Sequence, residues 1–235
     1  MAQRPVYIPT GEKQLYVKTE SVDFTWFAGM SVKQKQRSVD ALHEAAKSTL
    51  PNLDKILEIS SKSRDDLGIA LSAFNLSFTT LKHQRTLTIE CAFQGSKVFQ
   101  RGGPYTDIFE MTSREAKKDK RLLISGRLIG FKFFGIAWEL EPLTAFYDWL
   151  YISALRKRTE LAEQIIEYDA FTDIEFNPER SINCQAYSAA LYVSLFRLGI
   201  LDEAISSKES FLETINRACV CNARQNEVTQ SGFGF

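Results

Sequence analysis

The sequence contains no long run of apolar residues. No stretch of the 235-residue chain is apolar for long enough to cross a bilayer. Its first residues, 1–13, also lack the apolar core of a signal peptide. We therefore expect a cytoplasmic protein that does not enter a membrane.

Residues that bind metals are scarce. The chain has four cysteines and two histidines, and the two histidines lie far apart. The cysteine spacing fits neither a zinc site nor a disulfide framework. We expect no metal site and no cofactor. The four cysteines are Cys91, Cys184, Cys219 and Cys221.

An excess of charge of either sign is also absent. Lys and Arg together number 29, as do Asp and Glu, which gives a formal net charge of zero. Proteins that grip duplex DNA mainly through its phosphates usually carry a basic excess. Any contact with nucleic acid is therefore expected to be brief or confined to a small site.

What the chain does have is the composition of a globular protein, with 44% hydrophobic and 25% charged residues. Helical periodicity outweighs strand alternation, especially in the second half. We predict an α+β fold, a mostly helical single domain with a small antiparallel sheet. The expected boundaries are a strand or hairpin extension at 1–22, a main domain at 23–220 and a flexible tail at 221–235.

Several elements can be placed individually. A hairpin is predicted within 6–24, and a helix at about 31–47 is signalled by Ser31 and Gln34, which form a capping-box pattern. A second strand pair is expected at 72–78 and 86–89. Further helices are predicted at 65–71, 145–152, 161–168, 186–196 and 208–219.

The segment 90–99 is the strongest candidate for a functional site. Read as a helix, it places Glu90, Gln94 and Lys97 at i, i+4 and i+7 on one stripe. A carboxylate held there can perform acid or base chemistry on a polar ligand. A solvated helix face with a surface ion pair explains the same spacing, and spacing alone leaves both interpretations open.

Lys35 interrupts an apolar helix face formed by Val32, Val39 and Leu42. One explanation is a snorkelling lysine with its stem packed and its amine in water. The other is a desolvated amine that acts as a nucleophile. Trp26, Phe27 and Gly29 precede this helix. They can form the wall of a planar ligand site or, more commonly, a hydrophobic staple.

Four polar segments also have two interpretations. The loop 102–107, with Tyr105 and Asp107, is either a phosphate-binding turn or a tight connection. The basic run 114–121 is either a solvated helix face or a source of phosphate contacts. Residues 169–173 and 183–185 either cap a helix or line a cleft.

The chain resembles the NADAR (YbiA-like) family over about residues 23–200. The resemblance rests on Glu90 with Phe93-Gln94 and Lys97, on Ala116-Lys117, and on segments near 23–27, 169–172 and 182–183. Thr172 stands where the family has Trp, so Trp26 or Tyr105 would have to supply the stacking. The segments 29–35 and 102–107 resemble the subgroup found beside DarT-type toxins.

That resemblance implies an N-glycosidase-type hydrolase that removes ADP-ribose from guanine in DNA, acting as an antitoxin to a DarT-type ADP-ribosyltransferase. It implies that Glu90 stabilises the sugar cation or activates water, and that Lys35 is a second catalytic residue able to form an imine. ADP-ribosylated DNA is then the substrate and ADP-ribose the product. The substrate-binding residues expected on this basis are Trp26, Phe27, Gly29, Gln94, Lys97, Tyr105, Asp107, Lys117, Asp169 and Asn183.

Two alternatives remain at this point. YbiA-like proteins are also linked to N-glycosidic cleavage of riboflavin-pathway intermediates, which keeps the chemistry and changes the substrate. A non-catalytic antitoxin that binds and blocks its toxin is a different class, and the aromatic content of the chain suits such an interface.

Overall fold

The computed structural model describes residues 2–80, 84–179 and 181–218. Its fold is α+β and forms a single domain, which confirms the predicted class. The strands are β1 (Ala2–Glu12), β2 (Leu15–Phe24), β3 (Ile56–Glu58), β4 (Ser77–Thr79), β5 (Thr86–Thr88), β6 (Lys97–Phe99), β7 (Leu128–Phe133), β8 (Ile136–Trp138) and β9 (Ala170–Thr172). The helices are α1 (Val32–Thr49), α2 (Asp66–Ala70), α3 (Ile89–Ser96), α4 (Ser113–Lys117), α5 (Arg121–Ile124), α6 (Ala145–Arg156), α7 (Thr159–Ile165), α8 (Gln185–Arg197), α9 (Leu201–Ala204) and α10 (Lys208–Arg217), with a 3-10 helix at Thr106–Glu110.

The strands form three small sheets. The largest has the order β2-β1-β9-β3, a second pairs β4 with β5, and a third has the order β6-β7-β8. The pairings among these strands are antiparallel, except that β3 and β9 run parallel. No expected strand corresponds to β3 or β9, because three residues are too few to show an alternating pattern.

The N-terminal hairpin is built into the domain. Tyr7 pairs with Phe171 of β9, and its ring centroid lies 5.7 Å from that of Tyr187 in α8. The hydroxyl of Tyr16 donates a hydrogen bond to the carbonyl of Thr214 in α10 at 3.1 Å. The hairpin therefore shares one hydrophobic core with the elements that follow residue 22.

Helix α1 begins as the sequence predicts. The Ser31 hydroxyl accepts a hydrogen bond from the backbone N–H of Gln34 at 3.3 Å. The Gln34 side chain does not complete a capping box, because its oxygen accepts from Arg37 instead. Val39 and Leu42 are buried on one face of the helix, against the sheet.

Helices α6 and α8 lie at the centre of the main core. Both are buried on nearly every side, so apolar residues occur all round each helix rather than on one stripe. Asp148 is an exception within α6. Its carboxylate accepts a hydrogen bond from the hydroxyl of Ser188 in α8 at 2.5 Å, and burial raises its pKa to about 7.

One expectation is wrong, and another falls on residues that the structure does not describe. Residues 72–76 form hydrogen-bonded turns rather than the first part of a strand, because the backbone of Ala73 binds Gln185 and Glu90 instead of a neighbouring strand. The tail expected at 221–235 lies outside the described residues, as does the predicted end of the last helix at 219. Of the helices that the structure describes, none is long and apolar enough to cross a membrane.

Candidate active site

A cavity of about 590 Å³ opens between α3, α6, β7 and the N-terminal end of α8. This volume is within the range of small-molecule sites in proteins. Its wall combines aromatic rings with carboxyl, amide and ammonium groups. Five of the residues proposed from the sequence line it: Glu90, Gln94, Lys97, Lys117 and Asn183.

Glu90 occupies the first turn of α3, where the helix dipole stabilises a carboxylate. The Thr88 hydroxyl caps this helix by accepting the N–H of Cys91 at 3.2 Å. Only 7% of Glu90 is exposed, and its Oε1 accepts a hydrogen bond from Nε2 of Gln94 at 2.9 Å. The alternative of a solvated helix face is therefore wrong for this residue, because α3 is packed on all sides by neighbouring elements.

Gln94 has one amide atom unused. Its Nε2 is fixed toward Glu90, since the reverse orientation would place two oxygens together. Its Oε1 is buried and has no hydrogen-bond partner within the described residues. A buried acceptor without a donor costs about 1–3 kcal/mol. Because Gln94 lines the cavity, that oxygen is available to accept a hydrogen bond from a ligand.

Lys97 reaches the cavity from a different element than the spacing suggests. Helix α3 ends at Ser96, and Lys97 begins β6, where it pairs with Phe131 of β7. The predicted helical stripe is therefore wrong at its third member, although the side chain still meets Glu90 at the cavity. Burial lowers the pKa of the Lys97 ammonium from 10.5 to about 8, and the Glu90 carboxylate opposes that shift.

A pair of carboxyl groups forms another part of the site. Asp173 lines the cavity, and Glu58 on β3 lies next to it. The Asp173 carboxylate accepts hydrogen bonds from the backbone N–H of Glu175 at 3.0 Å and from Nε2 of Gln185 at 3.0 Å. Glu58 accepts from the Thr172 hydroxyl at 2.7 Å.

Burial raises the pKa of both carboxyl groups, and repulsion from Glu58 adds to the shift that brings the pKa of Asp173 to about 8. Two neighbouring buried acids do not both ionise readily, so the pair favours a protonated Asp173. The sequence suggested that Asp173 lies near a cleft but assigned it no role, and Glu58 was not predicted. A single acid in a three-residue strand has no sequence pattern that marks it as part of a site.

Lys35 does not line the cavity but contacts a residue that does. Its Nζ lies 3.4 Å from Oε1 of Glu175, which is part of the cavity wall. The same ammonium lies 4.8 Å from the ring centroid of Trp26. The side chain is 20% exposed. The structure therefore places Lys35 behind the rim, paired with Glu175.

The aromatic segment before α1 lies on the same side as Lys35, outside the cavity lining. Trp26 packs edge-on against Phe24 at 6.2 Å between centroids, and Phe27 contacts the guanidinium of Arg37. Gly29 has a φ of +133°, which explains the glycine by backbone conformation. For these residues the structure favours the packing interpretation.

The remaining predicted residues also lie outside the lining. The Tyr105 hydroxyl is hydrogen-bonded to Ser125 at 2.5 Å, and Asp107 forms an ion pair with Arg121 at 2.6 Å. The Asp169 carboxylate accepts the backbone N–H groups of Asp54 and Lys55 at 3.0 and 2.8 Å, which fixes the turn before β3. Each side chain is thus occupied by a structural contact.

Comparison with known proteins identifies the family. The chain matches the model of the DarT1-associated NADAR antitoxins over residues 2–225, which is almost the whole sequence. A search of the curated proteins found no match. The match includes the N-terminal hairpin as well as every residue of the cavity. The chain belongs to the family of DarT1-associated NADAR antitoxins.

Proposed function

We propose that the chain hydrolyses the N-glycosidic bond between ADP-ribose and guanine in DNA, and so reverses the modification made by a DarT1-type toxin. The observation that carries this proposal is the Glu90 carboxylate, buried at the start of α3 and hydrogen-bonded to Gln94 in the wall of a ligand-sized cavity. NADAR proteins are generally associated with N-glycosidase activity.

The reaction builds positive charge on the anomeric carbon as the bond to guanine breaks. In this proposal Glu90 stabilises that charge and takes a proton from the attacking water. Asp173, whose pKa is raised to about 8 by burial and by Glu58, supplies a proton to the guanine nitrogen that leaves. The hydroxide that remains from this water bonds to the sugar carbon, so ADP-ribose and intact guanine are the products.

The other polar groups of the cavity hold the substrate. Lys97 and Lys117 are cations at the wall and bind oxygens of the diphosphate. Asn183 binds ribose hydroxyls. The free oxygen of Gln94 accepts a hydrogen bond from an N–H or O–H of the substrate. Trp26, Tyr105 and Asp169 are not included, because other contacts occupy them.

Substituting Glu90→Gln tests the central role. The amide keeps the shape of the side chain but removes the charge and the base, so the rate of ADP-ribose release is expected to fall by about 10²–10⁴-fold. The matched control is Glu44→Gln, an exposed acid on α1. Release from an ADP-ribosylated oligonucleotide and the melting temperature are measured for both variants. A Glu90→Gln protein with the wild-type rate would refute the mechanism.

Lys35 is the subject of a separate test. An imine would form if an amine attacked the anomeric carbon as guanine left and the ring opened. Borohydride added during turnover would reduce this imine to a stable adduct, and peptide mapping would show whether it is on Lys35 or on Lys97. With normal turnover and no adduct, the water mechanism through Glu90 remains.

Two further experiments separate the alternatives. Activity on ADP-ribosylated guanine in DNA is compared with activity on the glycosidic intermediate of riboflavin synthesis, and the proposal requires the DNA substrate to react faster. In cells that express the toxin, Glu90→Gln is expected to give no protection. Full protection by that variant would instead favour an antitoxin that binds and blocks its toxin.

A further inference from the structure

The cavity lies between two borders of opposite charge. Residues 114–132 form the basic lip, which contains seven Lys or Arg and two Asp or Glu in a chain whose totals are 29 and 29. Residues 139–144 form the acidic lip, with Glu141 and with Glu139, which forms an ion pair with Lys208 at 2.9 Å. Both lips contribute directly to the wall, the first through Lys117, Leu128 and Phe131.

Most of the positive charge on the basic lip is not neutralised. Arg121 is the exception, because Asp107 and Asp119 bind its guanidinium at 2.6 and 2.7 Å. The other six cations of the lip are exposed and have no ion pair within the described residues. They are Arg114, Lys117, Lys118, Lys120, Arg127 and Lys132.

Backbone contacts hold this charge at the mouth of the cavity. Arg127 directly precedes Leu128, a wall residue, and its carbonyl accepts the N–H of Gln100 at 3.0 Å. Arg101 donates to the carbonyl of Ile124 at 3.0 Å, which adds another cation to the same turn. A fixed patch of one sign beside a recessed site attracts a ligand of the opposite sign.

Apolar side chains are exposed among these cations. Leu123 is 84% exposed, Ile124 is 69% exposed and Ile129 is 52% exposed. Exposed apolar side chains beside unpaired cations suit a single strand, whose phosphates and unstacked base faces are both accessible. A duplex would present its phosphates but not its base faces.

We propose that the basic lip binds the single-stranded DNA that flanks the modified guanine. This inference rests on the proposed function and specifies its substrate as a strand rather than an isolated nucleotide. Glu90 and Gln94 lie below the surface, 7% and 9% exposed, so a base stacked in a duplex cannot reach them. The strand enters over α4, α5 and β7.

The test compares two substrates on the full chain. One is ADP-ribosylated guanosine, which has no flanking phosphates. The other is a single-stranded oligonucleotide of about 12 nucleotides, in the range of single-strand site sizes, with one ADP-ribosylated guanine at its centre. The test protein is a double variant that carries both Lys120→Glu and Arg127→Glu. The matched control is Lys13→Glu, at an exposed lysine in the β1–β2 turn.

The double variant is expected to lower kcat/KM on the oligonucleotide by about 10-fold while kcat/KM on the nucleoside changes by less than about 2-fold. Its dependence on salt should also weaken, since each lost phosphate contact reduces the slope by about 0.7 for single strands. Equal effects on both substrates, or an equal effect of Lys13→Glu, would overturn the inference.

Binding of fluorescent unmodified oligonucleotide is measured in parallel by anisotropy. If the wild-type protein hydrolyses neither substrate but binds the oligonucleotide, and the double variant does not bind it, the proposed function fails and the DNA-binding surface stands. If hydrolysis is normal and DNA binding is unchanged, the surface is refuted alone. If the double variant binds DNA as the wild type does but no longer co-purifies with the toxin, the basic lip is a surface for a protein partner and the inference is overturned.

Discussion

Lys97 shows how burial and a neighbouring carboxylate act on one side chain in opposite directions. Burial favours the neutral amine at Lys97 and lowers its pKa to about 8, whereas the nearby carboxylate favours the ammonium. Opening the cavity to water would therefore favour the charged form of Lys97.

Asp148 predicts how stability depends on pH. Its pKa is raised to about 7 in the folded protein by burial, against about 3.9 for an unfolded chain. Between these values the folded state holds a proton that the unfolded state has lost. The contribution of this group to stability is therefore complete at low pH and declines as the pH rises toward 7, by up to about 1.4 kcal/mol per pH unit.

The variant Asp148→Asn removes this group and keeps an oxygen for the Ser188 hydroxyl. Denaturant unfolding from pH 4.5 to 8 is expected to show that the variant gains stability relative to the wild type as the pH rises, with no further gain above about pH 7. Burial lowers the pKa of His43 to about 4, so His43 changes stability with pH in the opposite direction. Subtracting the wild-type curve from the variant curve cancels this contribution, because both proteins contain His43. Parallel pH curves for the two proteins would contradict this account.

At the level of single residues, the sequence predicted Glu90, Gln94, Lys97, Lys117 and Asn183 as wall residues of one cavity. The family motif made that possible, because spacing alone favoured a solvated face for Glu90. Asp173 and Glu58 were not assigned. Their proximity depends on the parallel pairing of β3 with β9, which joins segments more than 100 residues apart.

At the level of elements, α3 depends on close packing. Gly95 lies against the 3-10 helix at Thr106–Glu110, and a Cβ added there would lie 2.5 Å from the ring of Phe109 and 3.1 Å from the carbonyl of Tyr105. The ring and the backbone would both have to move. Since α3 carries Glu90 and Gln94, the shift would also alter the cavity.

Gly95→Ala is therefore expected to destabilise the protein by about 1–3 kcal/mol, as overpacking does. The control is Thr106→Ala at an exposed position on the facing 3-10 helix, with an expected change within about 0.5 kcal/mol. Chemical denaturation measures both. A Gly95→Ala protein as stable as the control would show that the 3-10 helix yields easily.

Long elements were predictable and short ones were not. Helices α1, α6 and α8 have apolar periodicity over several turns, and their predicted positions are confirmed. The three-stranded sheet β6-β7-β8 was missed, because β6 and β8 have three residues each and β7 contains a glycine, Gly130. A Cβ added to Gly130 would lie only 2.8 Å from the carbonyl oxygen of Trp138, so the close approach of the two strands requires glycine there. Such contacts are decided by tertiary packing.

At the level of the whole molecule, the hairpin raises a question about the domain boundary. The sequence suggested that residues 1–22 form an extension to a domain beginning at residue 23. In the structure Tyr7 is fully buried, and Val17 is 1% exposed. Strand β1 also lies between β2 and β9 in the sheet. Removing the hairpin would expose β9 and part of α8 to water.

A chain lacking residues 1–22 is expected to show no cooperative thermal unfolding and to aggregate, because an exposed strand edge and apolar core surface replace the hairpin. Circular dichroism with heating, and size-exclusion chromatography, would measure this, with the Lys13→Glu full chain as the control. A truncated protein that is monomeric and melts cooperatively would establish residues 23–220 as an autonomous domain.

The residues of the cavity wall are spread along the chain from Ser61 to Gln185. During synthesis on the ribosome, the Glu90 helix emerges well before Asp173, Asn183 and α8. The nascent chain therefore cannot form the complete cavity until most of it has left the exit tunnel. Under the proposed function, a cell that makes toxin and antitoxin together is protected by antitoxin molecules already finished, and not by those still being translated.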